Sequence, residues 1–535
     1  MCYFCFVAKS DFIIQKCWEV LPDTDWKFYF LSVCAHLNQV PFLVLIVKKK
    51  RGICVKNFGI LEFDENQSGY KFGKKQLLLF LIGIIAFALI ILLPIHGLEL
   101  AGRKTLAIII LCLFCYANSG VPNLFATFLM FALPIIMGLA SFPAYMSGLG
   151  TSPLIMLTCL FVISAGITKT NLASRLAYTL LIKMGHSPRG IVTALTLSGV
   201  LVSALIANMP ACLIIAAIGS AVLKEMGEVP GQSRLGKAVM LGISTGTLVG
   251  GVAFISSSGS NATVISILES ATNGECTISY AQWAAVGVPF CIIMTVFLVL
   301  FINGIFGISK KTVSTSLDID SIKAKKAQLG KMTKSEIRYL VTLCIMMVLF
   351  LTTSYTGLNV PVVAMITMLL VIMPGWGSVN IREAMKNVPW EVVFFAAVAA
   401  CITSVVSSSG LGSWIANIFL NWTVGLPLFL ILLVICIASG VLNGLTMTSP
   451  ASLLIPSLAV LSATTGYTTT LLAMPICYMV SASFITPLLP DSQLTYPTGY
   501  WTYGDFIKFG WAFFIPWIIF CSLIICIVGP MIGIM

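Results

Sequence analysis

Long apolar runs separated by short polar intervals fill this chain from Leu77 onward. A run of ~20 apolar residues crosses a bilayer as a helix. On that criterion roughly ten to twelve runs or half-runs qualify. They centre near 77–97, 105–118, 122–145, 153–168, 190–222, 238–255, 283–307, 338–354, 359–374, 390–405, 425–443, 451–463, 470–489 and 506–533. Several are too short or too polar to cross alone, and those at 190–222 and 441–463 read as re-entrant hairpins. The pattern predicts an all-α polytopic membrane protein.

Within the runs one broken element occurs twice. Asn208-Met209-Pro210-Ala211-Cys212-Leu213-Ile214-Ile215 recurs as Thr448-Ser449-Pro450-Ala451-Ser452-Leu453-Leu454-Ile455. Proline removes a backbone donor, so a break at membrane depth survives only where it is buried in protein or lines a wet cavity. Matching breaks in two halves point to a transport site. Around them Asn171-Leu172-Ala173 parallels Gly410-Leu411-Gly412, and Tyr280-Ala281-Gln282-Trp283 with Gly287 parallels Tyr503-Gly504-Asp505-Phe506 with Gly510.

Composition agrees: 58% of residues are hydrophobic and 9% charged, against a charged share of ~25% in soluble domains. The net charge of +12 follows from loop lysines and arginines, densest from Lys310 to Arg338, and such loops face the cytoplasm. That interval is the expected linker between halves, and the charge calls for no nucleic-acid partner. The expected divisions are an N-terminal extension (1–71), a first transmembrane half (72–308), the basic linker (309–337) and a second half (338–535).

Most of the 17 cysteines sit singly in apolar runs, where a free thiol acts as a small hydrophobe. Cys2 and Cys5 have a redox or metal spacing with no second pair. The three histidines, His36, His96 and His186, form no His-Glu-x-x-His helix, which argues against a zinc membrane protease. No cluster of catalytic acids, bases or metal ligands marks an enzyme. In residues 1–71 the one membrane-length candidate, 28–47, is interrupted by His36, Asn38 and Pro41. An extra helix and a disordered extension both fit it, and a cleavable signal peptide does not.

Val388-Pro389-Trp390-Glu391-Val392-Val393-Phe394-Phe395, running on to Ser409-Gly410-Leu411-Gly412-Ser413-Trp414-Ile415-Ala416, resembles the divalent anion:sodium symporter family, which includes sodium/dicarboxylate and sodium/sulfate cotransporters. So does Gly250-Gly251-Val252-Ala253 leading to Ser258-Gly259-Ser260-Asn261, where that family carries a Thr-Pro-Pro-Asn type of loop. The resemblance covers about residues 72–535. It implies a homodimer whose protomers are inverted-repeat transporters with two re-entrant hairpins and broken helices.

In the family each hairpin tip carries Ser-Asn-Thr and helps hold sodium and substrate carboxylates. Here the first tip falls on Ala207-Asn208-Met209 and the second on Thr446-Met447-Thr448; alignment of the prolines instead pairs Asn208 with Thr448. Sodium takes hard oxygen ligands, for which a methionine thioether is a poor substitute. The resemblance makes Asn208, Thr446, Thr448, Asn261 and Asp491 candidate sodium ligands. It makes Asn208, Thr448, Ser449, Ser258, Ser260, Asn261 and Ser492 candidate substrate contacts.

Asp491 stands out, in Leu489-Pro490-Asp491-Ser492 at the second loop position. It either caps a helix end in water or, if buried, relays a proton or binds the coupling cation. Ser256, Ser257, Ser258, Ser260, Asn261 and Thr263 form a dense polar cluster fit for oxyanion hydrogen bonds, although a serine in an apolar helix more often bonds its own backbone. Arg175 and Lys169 read as interfacial, and Trp390 and Trp414 as membrane-interface anchors. The expected function is sodium-coupled symport of a di- or tricarboxylate by alternating access, with no cofactor, in a cell membrane. A proton-coupled carrier, an exchanger of sulfate or another anion, and a non-transporting membrane protein are the alternatives.

Overall fold

The computed structural model describes residues 73–534 except 117, 119–120, 147–151, 273, 310–316, 387, 424, 446–450, 481–483 and 487–489, together with five strand segments between residues 7 and 54. The chain divides into two compact units, Met1–Gly69 and Tyr70–Met535. In the first, β1 (Val7–Ala8), β2 (Ile13–Gln15), β3 (Trp26–Val33), β4 (Phe42–Lys49) and β5 (Gly52–Cys54) pair antiparallel in sequence order. The candidate span at 28–47 falls on β3 and β4, where Phe30 stands opposite Leu45. Both strands are rich in the β-branched and aromatic residues that favour strands. Cys2, Cys5, His36 and the polar stretch Glu62–Gln67 lie outside the described residues.

The second unit is helical. It opens with α1 (Lys74–Leu92), α2 (Leu100–Tyr116), α3 (Asn123–Ile136), α4 (Phe142–Met146) and α5 (Ser152–Lys169). Then come α6 (Leu172–Met184), α7 (Pro188–Leu205), α8 (Asn208–Glu225), α9 (Arg234–Gly251), a short 3-10 turn (Ile255–Ser257), α10 (Gly259–Ala271) and α11 (Tyr280–Ile305). The linker carries α12 (Ile319–Gln328), whose N-terminus Asp318 caps. Beyond it are α13 (Lys334–Thr356), α14 (Val360–Ile372), α15 (Ile381–Lys386), α16 (Trp390–Ser408), α17 (Leu411–Thr423) and α18 (Leu428–Leu445). The chain ends with α19 (Ala451–Thr465), α20 (Thr469–Met479), α21 (Pro490–Thr495) and α22 (Tyr503–Met531).

Among the described residues six helices are long and apolar enough to cross a membrane: α7, α8, α11, α13, α16 and α22. The α5–α6 pair qualifies jointly with a 57° bend, at the Asn171-Leu172-Ala173 position. Large apolar side chains such as Leu78, Ile292, Val296, Leu300, Val348 and Ile527 are exposed, the surface that lipid would cover. One large hydrophobic core runs through the unit. A smaller one, built by α2, α3, α4 and one side of α16, centres on Cys112, Tyr116, Met130, Tyr145 and Cys401.

The tip proline is not itself the break. Pro210 is the third residue of α8, in the first turn, where a missing N–H costs nothing. The chain turns at Ile206 and Ala207 instead, Ala207 being extended (φ −173°, ψ 149°). Thus α7 and α8 form a helical pair meeting at a two-residue tip.

Details recur between the halves. Ser203, seven residues before Pro210, donates its hydroxyl to Thr247 O at 2.6 Å. Asn443, seven before Pro450, donates its amide to Met479 O and Val480 O at 2.9 Å each. Each side chain clasps its helix, α7 or α18, to the C-terminal part of a later one, α9 or α20. Likewise α11 and α22 both begin with capping boxes, Ser279/Gln282 and Thr502/Asp505. Gly287 and Gly510 follow at equal distances. A Cβ on Gly287 would stand 2.6 Å from Val252 O, and one on Gly510 1.8 Å from Phe484 O. Both glycines therefore let non-helical backbone press directly against a long helix.

Candidate functional site

A break in the helical run, 252–258, separates α9 from α10. Its carbonyls cannot bond within a helix, so side chains supply the partners. The Asn261 amide donates to Gly251 O at 2.7 Å and Phe254 O at 2.9 Å. Ser257 donates to Ala204 O at 2.5 Å, tying the break to the α7–α8 pair, and Ser256 bonds the Tyr280 hydroxyl at 2.8 Å. Ser258 caps α10, accepting from Ser260 N. The polar cluster is thus largely a brace, and two of its serines bond other elements rather than their own helix.

In space the halves interlock. The short α21 of the second half packs on α8 and α9 of the first, while α10 packs on α19 and α20. This places Asp491 beside Asn208. Asp491 is 1% exposed, so it is buried rather than in water at a helix end. Asn208 Nδ2 donates to Asp491 Oδ2 at 2.9 Å, and Thr247 Oγ1 lies 3.3 Å from Asp491 Oδ1. The Cys212 thiol donates to the Asp491 main-chain carbonyl at 3.3 Å.

Thr247 faces two acceptors with one proton, because its Oγ1 is also 2.8 Å from Ser244 O. With Asp491 ionised, Thr247 turns its proton to the carboxylate. With Asp491 protonated, the acid donates to Thr247 Oγ1 while Thr247 donates to Ser244 O. The same scaffold satisfies both forms of the acid.

Asp491 and Asn208 border a cavity of about 160 Å³, with Thr247 behind Asp491 and outside the lining. One wall is the N-terminal end of α8 (Asn208, Met209, Pro210) with that of α10 (Ser258, Gly259, Ser260, Thr263); Asp491, Asn443 and Val480 close the floor. The other wall comes from the smaller core: Tyr116, Asn123 and Thr127, with Phe161 of α5 and Glu391, Val392 and Phe395 of α16. Tyr116 OH and Thr127 Oγ1 bond each other at 2.8 Å. Glu391 is exposed and marks the mouth. The cavity therefore lies along the seam between the two cores.

Helix N-termini carry partial positive charge from unpaired N–H groups. No side chain caps α8, so its first turn faces the cavity available to an anion. No lysine, arginine or histidine lines the cavity among the described residues. The site offers dipoles and neutral donors to an anion, and carboxylate oxygen to a cation.

Of the sequence candidates, Asn208, Ser258, Ser260 and Asp491 border one cavity. Asn261 commits its amide nitrogen to backbone. Ser492 is buried beside Asp491 and is not among the lining residues. Thr446, Thr448 and Ser449 lie outside the described residues. Sequence reading did not find Tyr116, Asn123, Thr127 or Thr247; Glu391 stood in a quoted motif without a role. Arg175 and Lys169 lie away from the cavity: Arg175 bonds Leu329 O, Gly330 O and Glu336, and Lys169 pairs with Glu383. Trp390 donates to Met385 O and Trp414 to His96 O.

Residues 109–482 match the profile of a family described as Citrate transporter (CitMHS). A sodium-dependent dicarboxylate transporter, SdcS, of Staphylococcus saprophyticus is 23% identical over 502 residues, covering 89% of this chain and 96% of that protein. SdcS of Staphylococcus aureus strain USA300 is 22% identical over 463 residues, covering 82% and 88%. Among solved structures, the antimetabolite efflux pump MtrF of Neisseria gonorrhoeae superposes with a TM-score of 0.50 at 13% identity, covering 85% of this chain and 94% of MtrF. That last likeness is one of fold.

Proposed function

The chain belongs to the citrate transporter family and is a multi-pass membrane carrier, not an enzyme; on that premise we propose that it moves a small di- or tricarboxylate together with sodium by alternating access. One observation carries the coupling: a buried carboxylate, Asp491, stands at the anion cavity with neutral donors around it. A buried charge is costly unless compensated, and a bound cation compensates it while drawing in the anion. Asn208 and Asp491 hold sodium from the first tip and the α21 end, with Thr446, Thr448 and Ser449 of the second tip as further ligands. The first turns of α8 and α10, with Ser258 and Ser260, grip the substrate carboxylates.

The similarity to dicarboxylate and citrate carriers supports this substrate class. The carrier works as a homodimer, with residues 72–308 and 338–535 as inverted halves joined by the 309–337 linker and 1–71 as an added N-terminal region. Uptake of labelled citrate, succinate and sulfate into proteoliposomes, with and without an inward sodium gradient, tests the proposal. No gradient-dependent uptake of any of the three would refute it.

The two-acceptor geometry at Thr247 favours a second reading, in which Asp491 carries a proton in place of sodium. Uptake driven by a pH gradient, indifferent to sodium and lost in Asp491→Asn, would establish that form.

A further inference from the structure

A second cavity, of about 370 Å³, shares no lining residue with the first. Its rim is formed by Gly357, Leu358, Asn359 and Pro361 between α13 and α14, and by Glu269, Thr277 and Ser279 around the end of α10. Glu269 accepts a hydrogen bond from the Thr277 hydroxyl at 3.0 Å.

The second cavity lies at the C-terminal end of α13, whose Thr353 lines it. That helix has 23 residues, so it rises about 34 Å, enough to cross the apolar core of a bilayer. Near its start Arg338 donates to Gly375 O and Trp376 to Thr342. The chain from there to α16, and with it Glu391 at the mouth of the first cavity, is thus held at the linker end. Asn359 at the second rim lies just past the other end. The course of α5 agrees: Lys169 at its C-terminus pairs with Glu383 at the linker end, whereas Met156 near its N-terminus lines the second cavity.

Between the cavities the partition is thin. On α5, Met156 lines one and Phe161 the other, a separation of about 7 Å along the helix. On the break, Ile255 faces the second and Ser258 the first. Leu157 and Phe161 rest on Gly259: a Cβ there would stand 3.0 Å from Leu157 Cδ1 and 3.1 Å from Phe161 Cζ. The contact is two side chains resting on a residue that has none.

The geometry points to a single solute route through the protein: the second cavity is the vestibule on the face opposite the linker, and Leu157 and Phe161 seated on Gly259 form the septum that closes it. This rests on the carrier reading above. Its test reads accessibility, so the two fail separately. In the full chain, Glu391→Cys, Asn359→Cys and Ser260→Cys are exposed to a membrane-impermeant thiosulfonate in intact cells and in inverted vesicles. Mass spectrometry of the modified peptide reads the rate, with Lys323→Cys on α12 marking the linker face.

Glu391→Cys is expected to react from the Lys323 face and Asn359→Cys from the other. Ser260→Cys is expected to react from the face opposite the linker at least tenfold faster when Leu157→Ala and Phe161→Ala are added. Reaction of Glu391→Cys and Asn359→Cys from the same face, or an unchanged Ser260→Cys rate in correctly inserted protein, overturns the route. Absence of carboxylate uptake with the expected labelling overturns the carrier's substrate and leaves the route standing.

Discussion

Replacing Asp491 by asparagine separates the coupling role of this residue from any part in holding the fold. The amide keeps the shape of the carboxylate. Its Oδ1 accepts from Asn208 Nδ2, the partner now 2.9 Å from Asp491, and its Nδ2 donates to Thr247 Oγ1, which keeps its own bond to Ser244 O. No buried donor or acceptor is stranded, so the fold should lose no more than the ~1 kcal/mol of one neutral hydrogen bond. What disappears is the charge. A unit charge pair 4 Å apart at an effective dielectric of 20 interacts by about 4 kcal/mol before desolvation, and the net worth of a contact to a charged group is about 1.5–3 kcal/mol.

At 1.4 kcal/mol per decade, that range predicts sodium half-saturation weakened roughly 10- to 150-fold in Asp491→Asn. Initial rates of labelled citrate and succinate uptake are measured in proteoliposomes as sodium is varied at constant ionic strength, with melting temperature in detergent as the control for folding. Should the variant fold normally and keep sodium half-saturation within twofold, Asp491 is not a coupling-cation ligand. If the proton is the coupled ion instead, sodium has no effect on either protein, and uptake by the native chain falls as pH rises while residual uptake by the variant is flat.

Gly510→Ala drives a Cβ into the Phe484 carbonyl, a clash no rotamer relieves, so its cost should exceed the usual 1–3 kcal/mol of overpacking; monodisperse yield in size-exclusion chromatography should collapse, and Gly287→Ala should fall less. Asn443→Leu strands Met479 O and Val480 O and should cost about 1–3 kcal/mol, read as a lowered melting temperature. Glu336→Gln weakens a buried knot that accepts from Asn171 N, Thr333 N and Arg175. About 3 kcal/mol of stability should go, and limited proteolysis should cut the linker near Gly330 faster. Because no cationic side chain lines the cavity among the described residues, the cation is expected to bind before the anion. Lowering sodium should therefore raise the apparent KM for substrate and leave the maximal rate unchanged, and the opposite pattern would refute that order.

The membrane class and the helical pair at the first tip were legible because hydropathy and proline act locally, while the second tip lies outside the described residues. A run of apolar residues reports its solvent whatever it packs against. Even so, Pro210 misled about where the chain turns: at the first turn of α8 it is a helix start signal, and the break falls on Ile206 and Ala207, which carry no signature. Thr247 was invisible for a different reason. It is one of many hydroxyls in apolar helices, and only the packing of α21 against α9 brings Asp491 to it. Tyr116 and Thr127 join the cavity from a separate small core, a long-range contact that composition and spacing do not encode.

Several contacts recur before and after the linker while the site residues differ, and the chemistry of each contact accounts for the difference. Ser203 and Asn443 differ in side chain yet perform one task, since a backbone carbonyl accepts from a hydroxyl or an amide alike. Gly287 and Gly510 also answer to backbone and admit no alternative. At the second residue of α10 and of α21, by contrast, stand Ser260 and Asp491, which face a cavity and other side chains. Nothing in the framework constrains those positions to match. A negative charge at one of the two positions makes the site electrically lopsided while leaving those backbone contacts intact, so substitution at Asp491 alone is expected to change the proposed cation coupling and not the framework.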